Sequence, residues 1–310
     1  MMRIAIIGAG ALGSVLGGLL IEAGLDTVLI ERNKDEVNLV SNNGYRLDGV
    51  SGDRTIHPRI VADASDTDGA DLVMVVVKSY DTSAAIGAVR EALAPDGLVL
   101  TLQNGIGNFE TLNAAFPGRV LLGTTTIGAM AVEPGHFKHT GFGQTHLGEA
   151  DGKILERTRA VAEALEKMKA GPVHLVDNAM GCVWSKLIIN AAINAPATLL
   201  RLRNGDLPSN EHGKRLIHEI VEECLRIVNA KGIKLIFDDP EERVIAVCEG
   251  TAGNLNSMFQ DVLAGRRTEI DFINNALAEE AETLGISAPV NKTLALLIKS
   301  LEATRDKRVG

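Results

Sequence analysis

The sequence predicts an α/β fold in which an N-terminal, doubly wound parallel sheet is followed by an all-helical C-terminal domain. Three observations carry this. Apolar runs of strand character alternate with helical stretches up to about residue 177. A glycine-rich turn joins the first strand to the first helix. From residue 178 onward the apolar periodicity is helical to the end. Strands that alternate with helices build βαβ units and hence a parallel sheet.

The elements follow in order. Residues 3–7, RIAII, form a buried strand, 8–13, GAGALG, a turn, and 14–24 a helix that stops at Gly24. TVLI (27–30) is the next strand. DLVMVVVKS (71–79) and GLVLTLQNG (97–105) are apolar and rich in β-branched residues, as in strands covered on both faces. TSAAIGAVREAL (82–93) is a helix between them. The Gly- and Thr-rich stretch 119–149 reads as strands and hairpins at the sheet edge, followed by a helix at 154–169 and a strand at 172–176. Helices are then expected at 178–200, 209–232, 239–249, 255–264, 268–284 and 290–304, and the polar tail 304–310 is expected to fray. The domain boundary falls near 177, which gives domains 1–177 and 178–310.

Composition narrows the function. The chain has 310 residues, 45% hydrophobic and 23% charged, as in a soluble globular protein; at 3% aromatic, its core must be built from Ala, Val, Leu and Ile. A net charge of −9 supplies no basic excess for nucleic acid. Cys182, Cys224 and Cys248 have neither paired nor metal-like spacing, which fits buried free thiols in a reducing, cytoplasmic setting and no metal site. Residues 4–21 lack charge, but their glycines suit a strand, turn and helix better than a membrane span or signal peptide.

The turn carries the first motif. Gly8-x-Gly10-x-x-Gly13 follows a strand, opens a helix and is followed by the acidic Glu31 eighteen positions after Gly13. In that context the spacing is the dinucleotide fingerprint of a Rossmann-type domain. Gly8 makes the tight turn, Gly10 lets the pyrophosphate approach the backbone, and Gly13 lets helix and strand pack closely. The helix N-terminus then offers N–H groups to phosphate. Glu31 stands where an acid would bind a ribose 2′-hydroxyl, and Arg32 where a cation would meet a 2′-phosphate, so the pair argues in both directions. Either is also compatible with a solvated loop charge. Lys78 and Asn104 end two strands, where open parallel sheets bind ligands; a lysine reaching into solvent is the plainer reading of Lys78.

The second motif lies in CVWSKLIINAAINAPATLL (182–200). Lys186, Asn190 and Asn194 are four residues apart and share one stripe of an otherwise apolar helix. A buried lysine has a lowered pKa, the condition for a proton donor near neutral pH. Asparagines that cap neighbouring helices and a lysine whose head reaches water are the alternatives. Pro196 should kink or end this helix just after Asn194. Farther on, Asn254, Ser257 and Glu269 lie in GNLNSMFQDVLAGRRTEIDFINN. Ser257 and Glu269 would be about 18 Å apart on an unbroken helix, but Gly265 suggests a stop and Thr268 a new start. Taken alone, Glu269 reads as a charged helix surface.

On these residues the chain resembles the ketopantoate reductase (2-dehydropantoate 2-reductase) family over nearly its whole length: in GAGALG, the VVVK strand end, LQNGIG, GTTTIGA, WSKLIINAAINAPATLL and NSMFQDVLAGRRTEID. The resemblance implies NADPH-dependent reduction of 2-dehydropantoate to (R)-pantoate, a step toward pantothenate and coenzyme A. By position, it makes Lys186 the proton donor. Asn104, Lys186, Asn190, Asn194, Asn204, Asn254 and Ser257 would contact substrate. Gly8, Ala9, Gly10, Ala11, Leu12, Gly13, Arg32, Lys78, Asn104, Ala129 and Glu269 would contact the cofactor. Glu31 departs from the pattern of NADPH-preferring members, because its carboxylate would repel a 2′-phosphate, and so NADH enters as an alternative.

The expected chemistry is hydride transfer from nicotinamide to the carbonyl carbon of a small 2-oxo acid, with Lys186 stabilising and protonating the oxygen in a cleft between the domains that closes against water. A related dehydrogenase acting on another 2-oxo or 2-hydroxy acid and a non-catalytic NAD(P)-sensing protein are the other readings. The sensor would have no use for a buried proton donor. No nucleic acid or membrane partner is expected, and the helical domain offers surface on which two copies could pair as a homodimer.

Overall fold

A computed structural model describes residues 2–307. Packing divides the chain into two compact units, Met1–Gln103 with Gly107–Ala179 and Asn104–Ile106 with Met180–Gly310.

The first unit begins β1 (Arg3–Ile7), α1 (Ala11–Glu22), β2 (Asp26–Ile30), α2 (Lys34–Asn43), β3 (Tyr45–Gly49), β4 (Arg54–Ile56), β5 (Arg59–Val61) and β6 (Ala70–Val75). It continues with α3 (Thr82–Ala92), β7 (Leu93–Thr101), α4 (Asn108–Ala115), β8 (Val120–Thr125), β9 (Gly128–Glu133), β10 (His136–Gly141), β11 (Thr145–Glu149), α5 (Glu156–Glu166) and β12 (Val173–Leu175). An eight-stranded sheet runs in the order β12-β11-β8-β7-β6-β1-β2-β5. Its strands pair in parallel except β8 with β11. The order steps outward from β1 in both directions, as the alternation of strands and helices requires.

Strand geometry sends alternate side chains to opposite faces. Ile4, Ile6, Leu29, Leu72, Met74 and Leu100 join one apolar core, while Ala5, Ile7, Val28, Val73, Val75 and Val99 join another. Both faces are therefore buried, which is why these strands read as unbroken apolar runs. The stretch 119–149 divides: β8 and β11 extend the large sheet, whereas β9 and β10 form a hairpin in a separate four-stranded sheet of order β4-β3-β10-β9. Strands β3 to β5 are short, and two of them hold only three residues, too few to stand out as a pattern.

Two strand ends fall earlier than the apolar runs suggest. β6 ends at Val75 and β7 at Thr101. Beyond Val75, Val76 N–H still donates to the Ile7 carbonyl at 3.1 Å, and the Val77 carbonyl accepts from the Gln103 side chain, Nε2 at 2.9 Å.

The second unit contains α6 (Ala179–Leu200), α7 (Glu211–Lys231), α8 (Pro240–Gly250), α9 (Ser257–Leu263), α10 (Asn274–Thr283) and α11 (Pro289–Ala303). Trp184, Leu187, Ile188, Ala191, Ile217, Ile220, Ile227, Val244, Leu277 and Ile298 form its core. Pro196 lies inside its helix, which runs to Leu200 over the expected range; of the kink or end expected there, the end does not occur. In the same helix the Ala191 carbonyl accepts from the buried Asn274 amide at 3.1 Å. A further expectation is corrected. The helix expected at 268–284 is not continuous: a 3-10 turn at Ile270–Phe272 is separated from α10 by Ile273, at φ −114°, ψ −99°. The break leaves the Phe272 carbonyl to accept from Ile106 N–H at 3.1 Å, a bond that fastens the short Asn104–Ile106 segment to this unit.

The three cysteines are buried thiols. Burial pushes the Cys224 thiol up to about 12 and the Cys248 thiol up to about 11, so both stay protonated. The tail expected to fray is described only to Lys307; Arg305 within it donates to the Gly265 carbonyl at 2.8 Å, and 308–310 lie outside the described residues. Among the described residues no helix is long and apolar enough to cross a membrane.

Glu223 of α7 is only 2% exposed and accepts from the backbone N–H groups of Val290 and Asn291, at 2.8 and 2.9 Å, at the start of α11. A carboxylate there satisfies donors that the helix itself leaves unpaired and complements its dipole. Glu223→Ala should lower unfolding free energy by about 3 kcal/mol, read as a reduced midpoint in urea with an unchanged m-value.

Candidate active site

The glycine turn lies between β1 and α1. Gly8 has φ +100°, and a Cβ there would sit 2.9 Å from the Val77 side chain. At Gly13 a Cβ would lie 2.0 Å from the Gly8 carbonyl oxygen, so only glycine allows α1 to start so close to β1. Gly10 is the exposed N-cap residue, and space above it is open. Ala9 is buried, Ala11 and Leu12 are half-buried, and Ser14 Oγ donates to the Ala9 carbonyl at 2.7 Å. The first turn of α1 carries N–H groups that have no partner within the helix. A tight turn, open space and helix N–H groups together fit the pyrophosphate of a dinucleotide.

Glu31 follows β2 and is half-buried rather than solvated. Its two oxygens accept from Ala9 N–H at 3.2 Å and Asn33 N–H at 3.0 Å, which holds the carboxylate at the rim of the turn. Arg32 is exposed, and its guanidinium donates through both Nη atoms to the two oxygens of Asp81, at 3.1 and 2.9 Å. Lys78 is half-buried and precedes the 3-10 turn Ser79–Asp81. Ala129 lies on β9, paired with His139 of β10.

Sequence reasoning missed a buried network behind Lys78. Gln103 Nε2 donates to the Val77 carbonyl and Thr82 Oγ1, Thr82 Oγ1 donates to Asn108 Oδ1 at 2.7 Å, and Asn108 Nδ2 donates to Ser79 Oγ at 3.2 Å. These bonds fix the loop that presents Lys78. The signal available was the polar triplet Gln103, Asn104 and Asn108, placed directly after an apolar strand. Asp81 was also missed, because nothing local in the sequence pairs it with a residue 49 positions away.

In the helical unit, the stripe on α6 has Asn194 buried and Lys186 and Asn190 half-buried among Leu187, Ile188, Ala191, Ala192 and Ile193, which are all buried. Glu269 is 6% exposed, so it is not a surface charge. It accepts from Asn104 Nδ2 at 3.1 Å and its charge acts on Lys186. The broken chain between Gly265 and Ile273 makes this possible, since Glu269 immediately precedes the 3-10 turn. Burial brings the Lys186 ammonium down to about 8, and the Glu269 carboxylate opposes part of that shift.

Asn204 and Asn254 are joined by a backbone bond, Asn204 N–H to the Asn254 carbonyl at 3.0 Å, and Asn204 Nδ2 donates to Thr251 Oγ1 at 2.9 Å. Asn254 and Ser257 are exposed, and Ser257 opens α9 behind its N-cap Asn256. Thus Lys186, Asn104 and Glu269 are brought together, and Asn204 with Asn254. Among the described residues no group of three or more His, Cys, Asp or Glu side chains is arranged as metal ligands would be.

The chain is similar to known proteins over most of its length. The family model described as ketopantoate reductase PanE/ApbA matches residues 4–152, and its C-terminal counterpart matches 178–302. The 2-dehydropantoate 2-reductase of Archaeoglobus fulgidus is 37% identical over 303 residues, covering 97% of this chain and 98% of that protein. The enzyme of the same name from Halobacterium salinarum is 36% identical, covering 96% and 98%. A PanE/ApbA family ketopantoate reductase from Ralstonia eutropha superimposes with TM-score 0.90 at 33% identity, covering 98% of this chain and all 100% of that one. D-mandelate dehydrogenase, solved with NADH and anilino(oxo)acetate, superimposes with TM-score 0.90 at 25% identity, covering 99% and 100%.

A titration of Lys186 followed by NMR of isotope-labelled lysine should show a midpoint near 8. In Glu269→Gln the carboxylate that favours the charged amine is gone, so the midpoint should move to lower pH. A midpoint unchanged by the substitution would separate the two groups electrostatically.

Proposed function

Because the chain belongs to the ketopantoate reductase family, we propose that it reduces 2-dehydropantoate to (R)-pantoate, with Lys186 as the proton donor. The observation that carries the reading is an ammonium of pKa about 8, acted on by Glu269, on the same helical stripe as Asn190 and Asn194. Residues 1–177 serve as the dinucleotide-binding part and residues 178–310 as the substrate part.

A nicotinamide dinucleotide, when bound, supplies the hydride. NADPH is the form that the resemblance implies, held by the glycine turn with Lys78, Ala129 and Glu269, while the residues after β2 govern the choice between NADPH and NADH. The protein's own task is electrostatic. The carbonyl oxygen of a 2-oxo acid gains negative charge as its carbon is reduced, and a cation placed at that oxygen lowers the barrier. Lys186 Nζ carries its proton below about pH 8, stabilises that charge and delivers the proton. Asn104 is tied to the Glu269 carboxylate through its Nδ2, which fixes the side chain assigned to substrate and cofactor. Asn190 and Asn194 present amides from the same helix as the lysine, and Asn204, Asn254 and Ser257 complete the substrate contacts.

The similarity to D-mandelate dehydrogenase over 99% of the chain supports a second reading, a 2-oxo acid with a different side chain. The reading also includes a cytoplasmic location, in keeping with three buried thiols, and the pairing of two copies through the helical part, where Leu200, Leu296 and Leu297 are exposed.

A panel of 2-oxo acids that includes 2-dehydropantoate and phenylglyoxylate, followed by nicotinamide absorbance, tests the substrate; the highest kcat/KM is expected for 2-dehydropantoate. Lys186→Ala should lower kcat by about a hundredfold or more with an unaltered circular dichroism spectrum, and near-normal turnover would remove Lys186 from the mechanism. Because the donor must be protonated, wild-type reduction should be full below pH 8 and fall as pH rises through that value.

A further inference from the structure

The residues after β2 form an acidic surface in which each cation faces a carboxylate. Glu31 is held by two backbone N–H groups at 3.2 and 3.0 Å, so its position at the turn is fixed by the fold rather than by a flexible side chain. Carboxylate oxygens accept more than one hydrogen bond each, and lone pairs remain for the two hydroxyls of a ribose. Arg32, the cation that would be expected to meet a 2′-phosphate, has both Nη atoms on the two oxygens of Asp81 at 3.1 and 2.9 Å. Asp81 is itself only 24% exposed at its side chain and precedes the first turn of α3, so it is anchored where Arg32 is not. The Asp63 carboxyl is held low chiefly by hydrogen bonds from Ser65, and the charge of Lys34 adds to this. Glu36, farther along the same turn, is partly buried near Glu31 and is pushed up first by that burial and then by Glu31's charge. Segment 31–36 together with Asp81 thus carries four carboxylates, Glu31, Asp35, Glu36 and Asp81, against two cations, Arg32 and Lys34.

We infer that Glu31 and Asp81 together make this chain select the coenzyme whose ribose bears a free 2′-hydroxyl, so that NADH is preferred to NADPH. Glu31 accepts from the ribose hydroxyls, which a 2′-phosphate would replace with a like charge. Asp81 is a positioning residue, because it occupies the guanidinium that could otherwise neutralise that phosphate in a bidentate manner. The inference rests on reading the glycine turn as a dinucleotide site but is independent of which 2-oxo acid is reduced.

The test is binding to the full-length chain by isothermal titration calorimetry, with ADP against 2′,5′-ADP and NADH against NADPH as probes. ADP and NADH should bind about tenfold or more tightly than their 2′-phosphorylated counterparts, the size of one charge-assisted hydrogen bond gained or lost. Asp81→Asn keeps the side-chain shape but removes the charge, and should move the NADH/NADPH ratio toward NADPH with little change in the Kd for NADH. Glu31→Ser should weaken NADH and strengthen NADPH, and the double variant should reverse the preference. Equal or tighter binding of 2′,5′-ADP by the wild type would overturn the inference, as would an Asp81→Asn ratio identical to wild type in a variant with normal thermal unfolding. If neither nucleotide binds, the dinucleotide reading falls with it. If NADH binds preferentially but 2-dehydropantoate is not turned over, only the substrate assignment is lost.

Discussion

The charge of Glu269 acting on the Lys186 ammonium is the interaction around which this part of the helical unit is organised. An amine packed on an apolar helix loses hydration and tends to give up its proton; a nearby carboxylate reverses part of that tendency. The balance leaves the group at about 8, close enough to neutrality that it can both hold a proton and part with it. Much of the surrounding structure serves that balance. A continuous helix through 268–284 would have set Glu269 on a regular surface, whereas the interruption at Ile273 leaves it at a 3-10 turn, buried to all but 6% and tied to Asn104. The buried Asn274 that follows the break bonds to the Ala191 carbonyl and to Asn291, so the irregular segment is anchored to two regular helices.

The parts of the fold that could be read from the sequence are those fixed by short-range geometry. The glycine spacing encodes a steric requirement, visible as the 2.0 Å separation that any Cβ at Gly13 would have from the Gly8 oxygen. The runs around Val73 and Val99 are apolar at every position because both sheet faces are covered. The four-residue spacing of Lys186, Asn190 and Asn194 is a helix stripe by arithmetic alone. What escaped depends on contacts between distant residues. Glu269 sits among charged neighbours in the chain, and nothing local marks it as buried. Pro196 reads as a kink or an end, and whether the helix runs on past it depends on packing that the local sequence does not show. Strands β3 to β5 are short pieces whose existence depends on partners elsewhere, β3 on β10 and β5 on β2. The Arg32–Asp81 pair spans 49 positions, and from the sequence alone Arg32 looked available.

The glycine turn and the residues after β2 differ in the chemistry they offer. Backbone geometry around Gly8, Gly10 and Gly13 suits a pyrophosphate without regard to what else the molecule carries, because the pyrophosphate is common to all such coenzymes. Side chains after β2 and before α3 instead present charge, Glu31 and Arg32 on one side and Asp81 on the other. Glu31 belongs to both groups, since one of its oxygens accepts from the backbone of the turn itself.

The Asn104–Ile106 segment ties the helical unit to a stretch of chain that immediately follows β7. Its Ile106 N–H and Asn104 amide are bonded to Phe272 and Glu269. The unit is therefore discontinuous along the polypeptide, and no single cut releases it whole. A fragment beginning at residue 178 would retain Lys186 and Glu269 but lack the Asn104 amide bonded to that carboxylate and the Ile106 N–H bonded to Phe272, so severing the chain there leaves the unit incomplete.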